Sequence, residues 1–151
     1  MKKLVLFLAI LLMPFFIQAQ TSELSINRVL GGQYKKHPHT TDVEIMSPRL
    51  TQYHLTYYHS LVVEKDTALM NMMAETFMED VPKAAEKELK MRGSHLIYGF
   101  LQLPIMTDGS YRYVFFKDER FFSSSDNPTA TIIYMEGPAS LKYLKQKFGQ
   151  Q

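Results

Sequence analysis

The stretch from Gly93 to Pro104 (GSHLIYGFLQLP) constrains this chain more than any other, because a glycine and a proline bracket a run with almost no charge. Side chains alternate across a strand, so Ile97, Leu101 and Leu103 are assigned to one face and Leu96, Tyr98 and Phe100 to the other. Both faces are apolar. Such a strand needs cover on each side, which predicts a central place in a sheet with the rest of the chain arranged around it.

The first residues do not belong to that arrangement. Lys2 and Lys3 precede an apolar run from Leu4 to Ile17, and Gln18-Ala19-Gln20 offers a small residue at a cleavage point. This is the pattern of a secretory leader, residues 1–19, ahead of one domain at 20–151. The run is shorter than the ~20 apolar residues that cross a bilayer, and no later stretch replaces it, so no transmembrane segment is expected after the leader. Removing Lys2 and Lys3 from the 17 Lys and Arg leaves 15 basic against 15 acidic residues. A nucleic-acid partner loses its electrostatic support with that subtraction. The predicted location is the bacterial periplasm or the exterior. The chain has no cysteine, so neither disulfides nor thiol chemistry enter.

Along the domain, Leu24, Ile26, Val29 and Leu30 fit a short helical turn or an edge strand. Thr41 to Met46 alternates as a half-buried strand. From Tyr53 to Val63, a face of Tyr53, Leu55, Tyr57, His59, Leu61 and Val63 is predicted to point inward. Asp66 is placed to cap a helix in which Leu69, Met73, Phe77 and Val81 recur every four residues. Pro82 is expected to kink or restart that helix, with Ala84, Ala85, Leu89 and Met91 on the next buried stripe and Gly93 as its cap. Asp108-Gly109 predicts a hairpin returning through Tyr111 to Lys117. Phe121 and Phe122 are expected at the core rim. Thr129 to Glu136 is the last strand, and Gly137-Pro138 opens a last helix with Leu141, Leu144 and Phe148 as its stripe. The fold class is α+β: a single, mostly antiparallel sheet of five to six strands, with one long kinked helix and a short C-terminal helix on one face.

The chemistry-bearing residues are few. His37 and His39 flank Pro38 near Asp42 and Glu44, but a zinc site needs a further spaced ligand, and no metal or cofactor is implied. His59 falls on an inward face, where a lone imidazole more often bonds a backbone group or a tyrosine hydroxyl than acts as a base. His95 begins a strand and has a surface reading. Glu75, Glu79, Asp80, Glu86 and Glu88 interleave with Lys83, Lys87 and Lys90 as a solvated helix face. The methionines from Met70 to Met78 read as core filler. No local nucleophile, phosphate-loop or zinc-protease motif is present, and no catalytic residue is assigned. Tyrosines on an uncovered sheet face can stack on a sugar or dock a peptide. The candidate binding residues are therefore Tyr58, Tyr98, Tyr113 and His59.

The runs Leu55 to Leu61, Leu96 to Pro104, Tyr111 to Phe116 and Thr131 to Gly137 resemble those of a family of small exported proteins of unknown function from Bacteroidales-type gut bacteria. The resemblance spans most of the domain and implies a bacterial envelope setting, without any catalytic residue. The expected function is a non-catalytic periplasmic or cell-envelope binding domain, whose partner is an envelope protein, a peptide or a glycan. The alternatives are a small periplasmic hydrolase using His59 or His95, and a structural component of an envelope complex.

Overall fold

A computed structural model describes residues 23–122, 124 and 126–148. The predicted leader, Gly149 and the Phe148 side chain lie outside the described set. Six antiparallel strands form one sheet: β1 (Thr40–Met46), β2 (Tyr57–Glu64), β3 (Glu86–Arg92), β4 (His95–Gln102), β5 (Tyr111–Asp118) and β6 (Thr129–Gly137), in the order β1-β2-β6-β5-β4-β3. The helices are a single turn, α1 (Asn27–Leu30), then α2 (Thr67–Asp80) and α3 (Leu141–Phe148). The α+β class holds, with a long helix, a short C-terminal helix and one sheet.

On one face, Tyr57, Leu61 and Val63 of β2, Val114 and Phe116 of β5, and Ile132 and Tyr134 of β6 meet Leu69, Met70, Met73 and Phe77 of α2, with Leu24, Ile26, Val29 and Leu30 closing the end. The ambiguous stretch near residue 26 is thus a helical turn, and all four of its apolar residues are buried. Asp66 caps α2 as predicted, its carboxylate accepting from Leu69 N at 2.9 Å. Gly99 faces this helix, and a Cβ there would lie 2.4 Å from the Phe77 ring. The glycine is what lets the helix come so close.

The other face carries a second cluster of Leu50, Leu55, Tyr113, Ala139 and Leu144. Because Tyr113 and Val114 are successive strand residues, they point to opposite sides, and α3 covers the face that α2 leaves open. The sequence placed both helices on one face. The correction comes from Gly137 and its neighbours: the chain leaves β6 across Leu55, Ala139 N bonds His54 O at 2.9 Å, and Ser140 rather than Gly137-Pro138 caps α3, its Oγ accepting from Tyr143 N at 3.2 Å.

Three further expectations change. The segment after Pro82 is not a second helix. Pro82 sits in a 3-10 turn, Val81–Lys83, after which Ala84 is extended and 86–92 forms the edge strand β3. Pairing with β4 overrides the helix preference of Glu, Lys, Leu and Met, and Gly93, at φ 61°, belongs to the β3–β4 turn. Second, β4 lies next to the edge while β5 and β6 hold the centre. A bulge between Lys90/Met91 and Tyr98/Leu96 leaves Ile97 without a partner across the ladder, and Leu96 joins Leu101 and Leu103 against α2. Third, β2 starts at Tyr57; Thr51–Tyr53 is a 3-10 turn and His54 is left-handed at φ 53°. Tyr53 and Leu55 therefore pack with the second cluster.

Candidate functional site

The residues singled out from sequence do not converge. Tyr113 is fully buried, its hydroxyl donating to Ala139 O at 2.8 Å, and burial pushes that phenol up to about 12. Tyr58 is half-buried against the same cluster. Tyr98 is half-buried on β4, next to the strand of Tyr113, edge-on to Phe115 at 5.4 Å with the Lys90 ammonium 5.8 Å from its ring centre. Burial, then the charge of Glu88, raises its phenol above the usual range. His59 points to the opposite face and is 3% exposed.

His59 is nonetheless part of a built polar chain. Its Nε2 lies 3.0 Å from Asp42 Oδ1 and its Nδ1 lies 3.3 Å from the Tyr57 hydroxyl, which donates to Glu44 Oε1 at 2.7 Å. Lys35 closes the chain by donating to Glu44 Oε2 at 2.8 Å. The hydrogen bond from Lys35, then that from Tyr57, holds the Glu44 carboxyl below its ordinary range, and burial first, then Glu44, holds the Tyr57 phenol well above its own. The pairing register explains the grouping, since Glu44 stands opposite His59 across β1–β2. The chain links an edge strand to the sheet. His59 is sealed within this chain of contacts and lies outside the groove between α2 and the β3–β4 hairpin.

Asp42 and Glu44 are engaged by His59, Tyr57 and Lys35. His37 Nε2 faces Asp66 Oδ2 at 3.6 Å, and no group of three metal-ligating side chains occurs among the described residues.

A groove of about 380 Å³ opens elsewhere, between α2 and the β3–β4 hairpin, and the sequence assigned it no role. Ala74 and Met78 come from α2, Met91 from β3, Leu96 from β4 and Phe121 from the 3-10 turn Glu119–Phe121. Met78 and Met91 are 37% and 46% exposed, and Phe122 beside the groove is 52% exposed rather than tucked at the core rim. His95 stacks on Phe121 with ring centres 4.9 Å apart. The polar floor is already satisfied. Buried Asp118 accepts from Arg120 Nε and Nη2, the latter at 2.6 Å, and Nη2 also donates to Asn71 Oδ1 at 3.0 Å. Among the described residues His95 has no carboxylate partner, so the groove offers an apolar, polarisable wall with a fixed ion pair beneath it rather than an acid–base pair.

One helical and one strand methionine, Met78 and Met91, 13 residues apart, carry no mutual sequence signal. Only the β3–β4 hairpin folding against α2 brings them together. The family comparison adds no chemistry: the model of a family of unknown function (DUF6108) matches residues 12–148. No curated protein and no solved structure matches.

Proposed function

The chain belongs to the family of unknown function DUF6108, which brings no activity with it, and we propose that it is an exported, non-catalytic binding domain of the bacterial envelope that seats an apolar protein segment in the methionine-lined groove. The observation that carries this reading is the exposure of Met78 and Met91 on facing walls of a concave surface. Unbranched thioether side chains adapt to differently shaped apolar partners at low cost. The ion pair under them fixes the floor, so the walls can yield without the site collapsing. Export rests on the Lys2-Lys3 pair, the apolar run behind it and Ala19, and a Bacteroidales-type host is part of the same proposal, resting on the resemblance of the strand runs alone. No helix of the described residues is long and apolar enough to cross a membrane.

The test is site-specific photocrosslinking in the native envelope, with the reactive residue at Met91 or, as a control on the opposite face, at Lys142. A discrete protein adduct at position 91, absent at 142 and abolished by Met78→Glu, is expected. Equal labelling at both positions, or none at 91 in a fraction that holds the protein, refutes the groove. Recovery of the full-length, uncleaved chain in the cytosol refutes export.

A further inference from the structure

The two edges of the sheet are built differently. β3 is an edge protected against pairing: five of its seven residues, in the run Glu-Lys-Glu-Leu-Lys-Met-Arg, are charged, and a bulge disrupts its ladder. β1 is less defended, with two charged residues of seven, Asp42 and Glu44. Its register with β2 runs unbroken from Thr40 to Met46, it has no proline or lysine, and Val43 and Met46 are 38% and 49% exposed. His39 O accepts from Glu64 N and Ser47 N donates to Thr56 O, so the odd-numbered residues bond to β2. By the alternation of an antiparallel ladder, the backbone amides and carbonyls of Thr40, Asp42, Glu44 and Met46 point away from the sheet. No other described strand pairs with them.

We propose that β1 is a strand-addition site that takes an extended basic segment of a partner protein, with Lys or Arg alternating with apolar residues. Directly opposed residues in an antiparallel pair share a face. Asp42 and Glu44 lie on the face of His59, and Thr41, Val43 and Ile45 on the other. A second copy is a poor occupant. Symmetric self-pairing with the faces aligned is centred on Asp42, Val43 or Glu44, and it then sets Asp42 against itself, Asp42 against Glu44 twice, or Glu44 against itself. Like charges in direct opposition are destabilising; a cationic segment turns the same pattern into attraction, reaching the 30% exposed Glu44 and exchanging there with Lys35. Asp42 supplies a second sign of a missing donor: its side chain is 4% exposed, yet its Oδ2 accepts no hydrogen bond. Between the cations, apolar side chains would continue the Val43 and Ile45 stripe. This edge is separate from the methionine groove and does not depend on it.

The experiment measures amide hydrogen exchange on the full domain with a capped Lys-Val-Lys-Val-Lys-Val peptide, and with the same peptide carrying Glu for Lys. The expected result is at least tenfold slower exchange at the outward amides of Asp42 and Glu44 with the basic peptide, weakening as salt rises, and no change with the acidic one. Val43→Lys, which places a cation in the middle of the edge, is expected to weaken the peptide at least tenfold. Met46→Pro removes one outward donor without touching a bond to β2, and circular dichroism verifies that both variants are folded. Equal protection by the two peptides, no protection by either, or concentration-dependent protection of the same amides without peptide overturns the proposal; the last outcome makes a second copy the occupant.

Discussion

Replacing Gly99 by alanine tests the contact that sets how closely α2 lies on the sheet, and with it the width of the groove beside it. The new methyl would sit 2.4 Å from two carbons of the Phe77 ring, against the ~3.5–4.0 Å at which carbon atoms rest. More than an ångström must be found. Phe77 cannot supply it by swinging away, because it is fully buried and packed on Phe116 at 5.8 Å between ring centres. Overpacking of this kind costs about 1–3 kcal/mol. Relieving the glycine's conformational freedom in a strand returns roughly 0.5–1 kcal/mol, and Gly99 has no positive φ to oppose the change. The expected net loss is on the order of 1–2 kcal/mol, a fall in Tm of roughly 4–8 °C for a domain of this size. Phe77→Ala alone should cost about 3–5 kcal/mol by opening a cavity. In the double variant the new methyl has room, so the two effects should fall short of additivity by about 1–3 kcal/mol. Urea titrations of the four proteins measure this coupling. Additivity within ~0.5 kcal/mol, or a Gly99→Ala protein as stable as the parent, would refute the reasoning.

Asp80→Ala removes the acceptor for Ser25 N at 2.7 Å and Ile26 N at 3.0 Å; with each charge-assisted bond worth ~1.5–3 kcal/mol, a loss of about 3 kcal/mol or more is expected, with faster exchange of the Ile26 amide. Gly137→Ala places a methyl 2.6 Å from the Leu55 backbone at a φ of 156°, and since neither side can yield, a larger drop in Tm than for Gly99→Ala is expected by calorimetry. The Glu44 carboxyl, held down by Lys35 and Tyr57, contributes stability that is present above the ordinary glutamate range near ~4.3 and lost as pH falls through its lower folded value. Urea midpoints should therefore decline below pH ~4, less steeply in Glu44→Gln. Tyr57, raised by burial and Glu44, acts in the opposite direction, its contribution being present below ~10 and lost as pH rises. Phenolate absorbance should show part of the tyrosine set ionising only as the domain unfolds in alkali.

The strands with strict alternation were legible because period two and burial coincide: β2, β5 and β6 each present an inward row that the structure buries. The stretch from Glu86 to Arg92 was not, because its residues favour helix and its strand character comes only from β4 beside it. The same limit hid Asp80. Between Glu79 and Lys83 it resembles one more solvated carboxylate on a helix, and nothing local announces a segment 55 positions earlier in the chain donating two amides to it. His59 reads inward, with a backbone group or a tyrosine hydroxyl as its partner, and the structure supplies Tyr57; its partner Asp42 is not legible, since the register between β1 and β2 is a tertiary fact. The groove was illegible for a related reason. Its methionines look like core filler, and what leaves Met78 and Met91 uncovered is a hairpin whose first arm, 86–92, reads as helix.

Asp80 and its neighbour Lys83, which donates to Glu23 O at 2.7 Å, grip three backbone groups just before α1, at Glu23, Ser25 and Ile26. That grip sets a limit on trimming. A protease that cuts after Ala19 leaves every gripped group in place. One that continues past Ser25 removes two of the three and uncovers a buried carboxylate, so the domain carries at its amino-terminal side a built-in gauge of how much chain can be taken away before it ceases to fold.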